Sequence, residues 1–179
     1  MNVTKREIYY DNSIIIAGNL DSSKASFLKE IYKLNGVKIN LFGPNFDNHI
    51  FNNPNIIYNG TFTPEELPNH LNKGFGLIWD GTSIESCEGN LGNYLKYNNP
   101  HKLSLYLGAG LPVIIWNQAA EAEFVIKNKC GITINSLYDL ENLNITKEQY
   151  LTLVSNTENI SKKIRSGFYI TTALKECEN

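Results

Sequence analysis

The chain has 179 residues, 42% of them hydrophobic, and a formal net charge of −2 at pH 7. This length supports one α/β domain with its own core, and the dispersed lysines and arginines argue against a nucleic-acid partner. No apolar run reaches the roughly 20 residues of a membrane span, and three isolated cysteines favour a cytoplasmic protein without disulfides or a zinc site.

Strand and helix patterns alternate along the chain, each bounded by glycine, proline or capping residues. The predicted strands cover residues 13–17, 37–42, 55–58, 76–79, 113–116 and 131–134. The predicted helices cover residues 21–34, 64–72, 100–109, 119–128, a long region from 146 and a final helix at 168–178. Thr63 with Glu66, and Thr146 with Gln149, have the spacing of capping boxes.

This alternation predicts an α/β fold, namely a Rossmann-like, doubly wound parallel sheet with helices on both faces. We expect this domain to occupy residues 13–179, after a linker remnant or disordered start at residues 1–12. Such sheets bind ligands beyond the carboxyl ends of their strands. The loops at residues 18–24, 80–99 and 116–118 are expected at that edge.

The start of the helix at residue 100 is the clearest candidate site. Pro100 suits the first helical position, and Gly110 suits the left-handed residue that ends a helix. The free N–H groups and the positive dipole end of such a helix bind anions, and Lys102 adds a full charge there. The pattern therefore predicts a phosphate ligand. The alternative is a surface helix with a solvated lysine.

Three motifs resemble a known family. Gly18-Asn19-Leu20 follows the first strand, Trp79-Asp80-Gly81 opens the long loop, and Asn99-Pro100-His101-Lys102 opens the helix. From about Ser13 to its end, the chain resembles the C-terminal half of a GT-B glycosyltransferase. Within that superfamily it is similar to the bacterial group of glucosyltransferase 3 enzymes and galactofuranosyltransferases.

The resemblance implies transfer of a hexose from a UDP-sugar to a glycoprotein or cell-surface polysaccharide, with neither a cofactor nor a metal. In such enzymes an N-terminal domain binds the acceptor, and this chain is too short to hold both halves. It is therefore expected to be an excised domain, a truncated product or a natural subunit, inactive without its acceptor-binding half. The final helix at residues 168–178 is expected to pack on that missing domain or companion subunit, or to drive homo-oligomer formation.

The resemblance also implies site residues. Lys102 would pair with the diphosphate of the nucleotide sugar, Gly18 would let the backbone approach it, and Tyr58, Phe62 or Trp79 would stack on uracil. The alternatives are a simple turn, core packing of the aromatic rings, helix capping and solvated charges. The predicted donor-binding residues are Gly18, Asn19, Lys24, Phe62, Leu67, Trp79, Asn99, Pro100, His101, Lys102, Leu103 and Ser104.

The catalytic residues are not identified by the sequence. Glu85 and Glu88 lie in the polar loop and are candidates for contacts with sugar or ribose hydroxyls; the alternative is a solvated, mobile loop. A second function class remains open, a non-catalytic interaction module with the same fold. An NAD-dependent dehydrogenase is disfavoured because the first strand is not followed by Gly-x-Gly-x-x-Gly.

Overall fold

A computed structural model of the chain describes residues 7–23, 25–47 and 53–177, whose strands form one six-stranded, all-parallel sheet. The strands lie side by side in the order β3-β2-β1-β4-β5-β6. This order reverses between β1 and β4, as in Rossmann-like doubly wound sheets, and the predicted fold class is therefore confirmed. In chain order the strands are β1 Tyr9–Ala17, β2 Ile39–Phe42, β3 Ile56–Tyr58, β4 Lys73–Ile78, β5 Val113–Trp116 and β6 Gly131–Ile134.

Helices of very different length connect and follow the strands. The α-helices are α1 Leu67–His70, α2 Gly89–Tyr94, α3 His101–Ala109, α4 Ala122–Lys127, α5 Lys147–Arg165 and α6 Phe168–Cys177. Three-residue-per-turn helices cover Ser26–Lys29, Ile31–Lys33 and Leu137–Asn142. None of the helices in the described part of the chain is both long and apolar enough to cross a bilayer.

The central strands are buried on both faces. In β1, the consecutive residues Ile14, Ile15 and Ile16 are all buried, and so is every residue of β5. Successive strand residues point to opposite faces, so continuous burial requires cover on both sides of the sheet. The apolar runs that predicted these strands therefore carry the core of the domain.

Several local predictions are confirmed. Strands β5 and β6 have the predicted bounds. Thr146 and Gln149 form the predicted capping box at α5, with each side chain accepting a hydrogen bond from the other's backbone N–H. Gly110 ends α3 with a φ of 90°, a left-handed conformation that glycine adopts without a steric penalty. Pro100 corrects one detail, because it is the N-cap of α3 and not its first helical residue.

The prediction of one α-helix at residues 21–34 is wrong. The structure has two short 3-10 helices there, although Phe27, Leu28, Ile31 and Leu34 are all buried as their spacing predicts. The N–H of Phe27 donates to the carbonyl of Gly81, 3.3 Å away, in place of a bond within an α-helix. A tertiary hydrogen bond thus takes the place of an i→i−4 bond of an α-helix. In a 3-10 helix, residues three apart lie on the same face, so the apolar side chains still point to the core.

Other boundaries also differ from the predictions. Strand β1 begins at Tyr9, whose N–H donates to Asn72 at 2.8 Å, so residues 9–12 lie in the sheet. Thr63 and Glu66 do exchange capping bonds, but α1 covers only Leu67–His70. Helix α4 is shorter than predicted, and α2 lies inside the region predicted to be loop. The ends of these elements are poorly marked in the sequence because the segments are short or irregular.

Helix α6 lies at the edge of the domain. It follows α5 after Gly167, and Tyr169 makes an edge-on contact with Phe124 of α4, with ring centroids 6.2 Å apart. None of its residues is buried. Ile170 and Leu174 are 66% and 59% exposed. The helix thus presents apolar side chains that the described part of the chain leaves uncovered.

Candidate functional site

The candidate site lies at the carboxyl end of the sheet, between β1 and β4. The paired residues of these two strands run to Ile15 and Gly76, whereas β1 continues its pairing with β2 to Ala17. Pairing between β1 and β4 therefore ends where the strand order reverses, at the crevice in which doubly wound sheets bind their ligands.

Tyr106 of α3 fills the base of this crevice. Its hydroxyl accepts a hydrogen bond from the N–H of Ala17 at 2.8 Å and donates to the carbonyl of Ile15 at 3.3 Å. Tyr106 thus bonds to backbone groups of β1 at the last residue paired with β4, Ile15, and beyond it, at Ala17. Burial raises the pKa of Tyr106 above its usual range, which keeps the hydroxyl protonated and able to donate.

Gly76 makes room for Tyr106. A Cβ at this position would lie 2.2 Å from Cγ of Tyr106, far inside contact distance. The missing side chain lets α3 pack directly on β4. Ser161 of α5 donates to the carbonyl of Gly108, two residues further along α3, at 2.7 Å. The C-terminal half of α3 is therefore held against both β4 and α5.

The N-terminus of α3 has the properties of an anion site. Pro100 is a buried N-cap, and no side chain within the described residues caps the first turn. The helix dipole concentrates partial positive charge on these N–H groups. His101 and Ser104 are exposed, whereas Leu103 is buried against the core. The first turn thus has one face anchored in the protein and one open to a ligand.

Lys102 lies beside Gly18 and Asp80. Its Nζ is 2.9 Å from Oδ1 of Asp80, and both side chains are about a quarter exposed. A Cβ on Gly18 would lie 3.7 Å from Cε of Lys102. The structure thus brings together the end of β1, the end of β4 and the start of α3, which are 22 or more residues apart in the chain.

The loop after β1 approaches the loop after β2 very closely. A Cβ on Gly43 would lie 1.8 Å from the carbonyl oxygen of Gly18, and both residues have φ near 140°. Asn19 is exposed, and its Oδ1 accepts hydrogen bonds from the N–H of Asp21 and from Nδ2 of Asn45. Asn19 therefore ties the two loops together beside the crevice, and the close approach of their backbones requires a glycine at position 43.

The predicted aromatic residues have different surroundings. Phe62 is half-buried and stacks on His70 with ring centroids 3.8 Å apart. Leu67 is half-buried at the start of α1. Trp79 is only 1% exposed, and its Nε1 donates to the carbonyl of Ser83 at 3.0 Å. Its ring is core packing, which was the alternative, and it presents no open face on which uracil could stack. Lys24 lies outside the described residues.

The loop after β4 is held firmly in place. The carbonyl of Ile84 accepts hydrogen bonds from the N–H of Leu137 at 2.8 Å and from Oγ of Ser136 at 3.1 Å. Glu85 and Glu88 are both exposed, and Glu88 accepts a 2.7 Å hydrogen bond from Ser86. The loop therefore has a fixed base and two solvent-facing carboxylates.

Neither a metal site nor an activated thiol is found in this region. Within residues 7–23, 25–47 and 53–177, no group of histidine, cysteine and acidic side chains is arranged to hold a metal ion. Cys87 is buried, and this burial raises the pKa of its thiol to about 12. The thiol is thus protonated at neutral pH, which makes it a poor nucleophile.

The family described as "Glucosyltransferase 3-like, C-terminal domain" matches residues 14–177. The chain belongs to this family. The match covers all six strands from Ile14 of β1 onwards, together with the crevice, Lys102 and Asp80. The predicted membership of the glucosyltransferase 3 and galactofuranosyltransferase group is therefore confirmed.

Two curated relatives of this glucosyltransferase 3-like domain carry transferase names. The chain is 44% identical to "Beta-1,6-galactofuranosyltransferase WbbI" of Escherichia coli (strain K12), over 91% of its own length and 48% of the relative. It is 30% identical to "Glucosyltransferase 3" of Streptococcus gordonii, over 64% of its own length and 34% of the relative. The chain therefore spans about half of the first relative's length and about a third of the second's.

The domain is also similar to a solved structure of AviGT4, a glycosyltransferase involved in avilamycin A biosynthesis, with a TM-score of 0.48 and 14% identity over 88% of this chain and 52% of that chain.

Asp80 and Tyr106 are the residues of the site that sequence reasoning did not single out. Asp80 ends the Trp79-Asp80 pair after a buried strand, and an acidic residue at a strand's carboxyl end is a recognisable signal. In the sequence, Tyr106 is recognisable only as one of the apolar residues at helical spacing in α3. Its hydrogen bonds to β1 depend on the way the helix packs and have no local signature.

Proposed function

We propose that this chain is the donor-binding half of a glycosyltransferase that transfers a hexose from a UDP-sugar to a glycoprotein or cell-surface polysaccharide. The observation that carries the proposal is the start of α3, where an uncapped first turn and Lys102 meet Gly18 at the β1–β4 crevice. Membership of the glucosyltransferase 3-like family and the names of the two relatives support the reaction class.

In this proposal the diphosphate lies across the start of α3. The N–H groups of His101 and Lys102 donate to its oxygens, and the Lys102 side chain supplies the full positive charge. The N–H of Leu103 already donates to the carbonyl of Pro100 at 2.9 Å. Negative charge builds up on the diphosphate as the sugar leaves, so these fixed donors stabilise the transition state more than the ground state. Lys102 and the helix dipole supply this stabilisation without a cofactor or a metal.

The nucleoside would bind on the β1–β2 side of the crevice. Gly18 offers backbone without a side chain, and Asn19 offers an exposed amide beside it. Phe62 is a half-buried aromatic residue on the predicted base side, and Leu67, five residues later in the chain, is half-buried as well. In this proposal these four residues contact the uridine, and the polar groups of Asn99 contact the diphosphate. Lys24 is retained as a predicted phosphate contact.

The acceptor site and the catalytic base belong to a second half. Glu85 and Glu88 face solvent at the same edge of the sheet and are the carboxylates of this chain nearest in sequence to Asp80. We propose that they contact sugar hydroxyls and that transfer requires an N-terminal acceptor domain or a companion subunit. The exposed apolar residues of α6 supply a surface for that half, and the whole complex acts in the cytoplasm.

A second candidate function is a non-catalytic interaction module with the same fold. The observation that favours it is α6, where Phe168, Ile170 and Leu174 are 46%, 66% and 59% exposed. Such a module would use α6 to bind a partner transferase and would have no affinity for nucleotides. The two functions therefore differ in one measurable property.

Calorimetric titration of the chain with UDP, ADP and GDP tests the proposal. We expect selective binding of UDP, weakened about tenfold or more by Lys102→Ala because a charge-assisted hydrogen bond is lost. Lys147→Ala is the matched control, since Lys147 is an exposed lysine in the first turn of a helix whose N-terminus is already capped by Thr146. A folded chain that binds none of the three nucleotides would instead support the interaction module.

A further inference from the structure

We propose that Asp80 is a specificity-determining residue of this site, which disfavours free UDP relative to a UDP-sugar. The inference rests on the proposed function, because it concerns the ligand that Lys102 binds. It goes further because it assigns to Asp80 the ability to distinguish the UDP-sugar from free UDP by the charge of the distal phosphate.

The positive charge of Lys102 is already neutralised in this structure. Its Nζ makes a 2.9 Å ion pair with Oδ1 of Asp80, and about a quarter of each side chain is accessible. The pair adds no net charge to the start of α3. A phosphate that contacts Lys102 must therefore come within a few ångströms of a carboxylate, either displacing it or sharing the ammonium group with it.

The backbone on both sides of Asp80 is tightly held. Trp79 is buried, and its indole N–H is bonded to Ser83. Gly81 packs so closely that a Cβ there would lie 2.3 Å from the carbonyl oxygen of Glu88. The carbonyl of Gly81 also accepts the N–H of Phe27 at 3.3 Å. Asp80 can change its side-chain rotamer, but its carboxylate stays at the crevice when a ligand enters.

Repulsion by this carboxylate depends on the charge of the distal phosphate. A terminal phosphate has a second pKa near 6 and carries nearly two charges at pH 8, whereas a phosphate esterified to a sugar carries one. One additional like charge about 4 Å away, fully screened by water, weakens binding about fivefold. The sugar ester avoids this repulsion, and its hydroxyls are hydrogen-bond donors that a carboxylate accepts.

The consequence is a site that releases its product. Transfer of the sugar leaves a terminal phosphate with an extra negative charge next to Asp80. Free UDP is thereby bound less tightly than Lys102 and the helix dipole alone would allow. The same carboxylate reduces competition from inorganic diphosphate.

The test is calorimetric titration at pH 8 with UDP, inorganic diphosphate, UDP-glucose and UDP-galactose. We expect Asp80→Asn to strengthen the binding of UDP and inorganic diphosphate about fivefold more than it strengthens the binding of the two UDP-sugars. The affinity for the two UDP-sugars should change less, so the ratio of UDP to UDP-sugar affinity should rise. The asparagine substitution keeps the size of the side chain, and Glu123→Gln, at an exposed position on α4, removes the same net charge away from the crevice.

The outcomes separate this inference from the proposed function. An unmodified chain that binds no nucleotide overturns both. A chain that binds nucleotides, with an Asp80→Asn variant that weakens UDP and UDP-sugars by the same factor, overturns the inference alone, because Asp80 would then only position Lys102. Equal strengthening of all four ligands, matched by Glu123→Gln, also overturns it, since a general charge effect would explain the change.

Discussion

The ring of Tyr106 occupies the space that a side chain on Gly76 would need, because a Cβ there would lie 2.2 Å from Cγ of Tyr106. This close approach lets the hydroxyl of Tyr106 reach Ala17 and Ile15 across the crevice. The position of the candidate anion site thus depends on one missing side chain in the middle of β4.

Gly76→Ala is expected to destabilise the domain. The added methyl group would force Tyr106 and α3 away from the sheet, and overpacking of this kind costs about 1 to 3 kcal/mol. Urea denaturation followed by circular dichroism measures the change. Gly108→Ala is the matched control, because its Cβ would have an ordinary 3.7 Å contact with Ile164 and alanine favours the helix. Equal stability of the two variants would contradict the role assigned to Gly76.

Tyr106→Phe should lower the free energy of unfolding, because the substitution removes only the hydroxyl group. The N–H of Ala17 and the carbonyl of Ile15 would lose this buried partner, and a buried unsatisfied group costs about 1 to 3 kcal/mol. Because α3 would also be less firmly held, UDP affinity should fall in the same variant. Tyr94→Phe is the control, since Tyr94 is 58% exposed, and it should unfold at the same urea concentration as the unmodified chain.

The three cysteines should differ sharply in their reactivity. Burial raises the pKa of Cys87 to about 12 and that of Cys130 to about 11, whereas Cys177 is exposed. A raised pKa leaves the thiol protonated at pH 8, and the thiolate is the reactive form. Titration of the folded chain with a thiol-specific disulfide reagent should therefore detect one fast cysteine.

Two controls accompany this titration. The Cys177→Ser variant should show no fast reaction when folded, and all remaining thiols should react in denaturant. A fast reaction of Cys87 in the folded Cys177→Ser variant would show that the loop after β4 opens, against the packing of Ile84 and Cys87 described above.

The exposed face of α6 should control self-association of the isolated chain. The double change Ile170→Gln and Leu174→Gln removes apolar surface that is 66% and 59% exposed, so the free energy of unfolding should change by less than about 0.5 kcal/mol per site. Sedimentation velocity should show a lower tendency to associate than for the unmodified chain. Ile126→Gln, at a position 51% exposed on α4, is the control and should leave association unchanged.

Local chemistry accounts for the parts of the fold that the sequence predicts well. The apolar run 113–116, the glycine that ends α3 and the Thr146–Gln149 capping box each act within one element, so a short window contains the whole cause. Lys102 is predicted as a phosphate contact in the same way, because a lysine in the first turn of a helix is a local pattern. Its neighbour Gly18 followed from the rule that carboxyl ends of parallel strands meet at one edge.

The amino-acid sequence by itself determined the alternation of strands and helices and the family to which the chain belongs, and it predicted an anion site at the start of α3. Only the tertiary structure decided the 3-10 form of residues 26–33, the burial of Trp79 and the pairing of Lys102 with Asp80. The physical reason is the range of the interactions. Phe27 bonds to Gly81, and Lys102 pairs with an acid 22 residues away, so neither contact exists until the sheet has brought separate segments together.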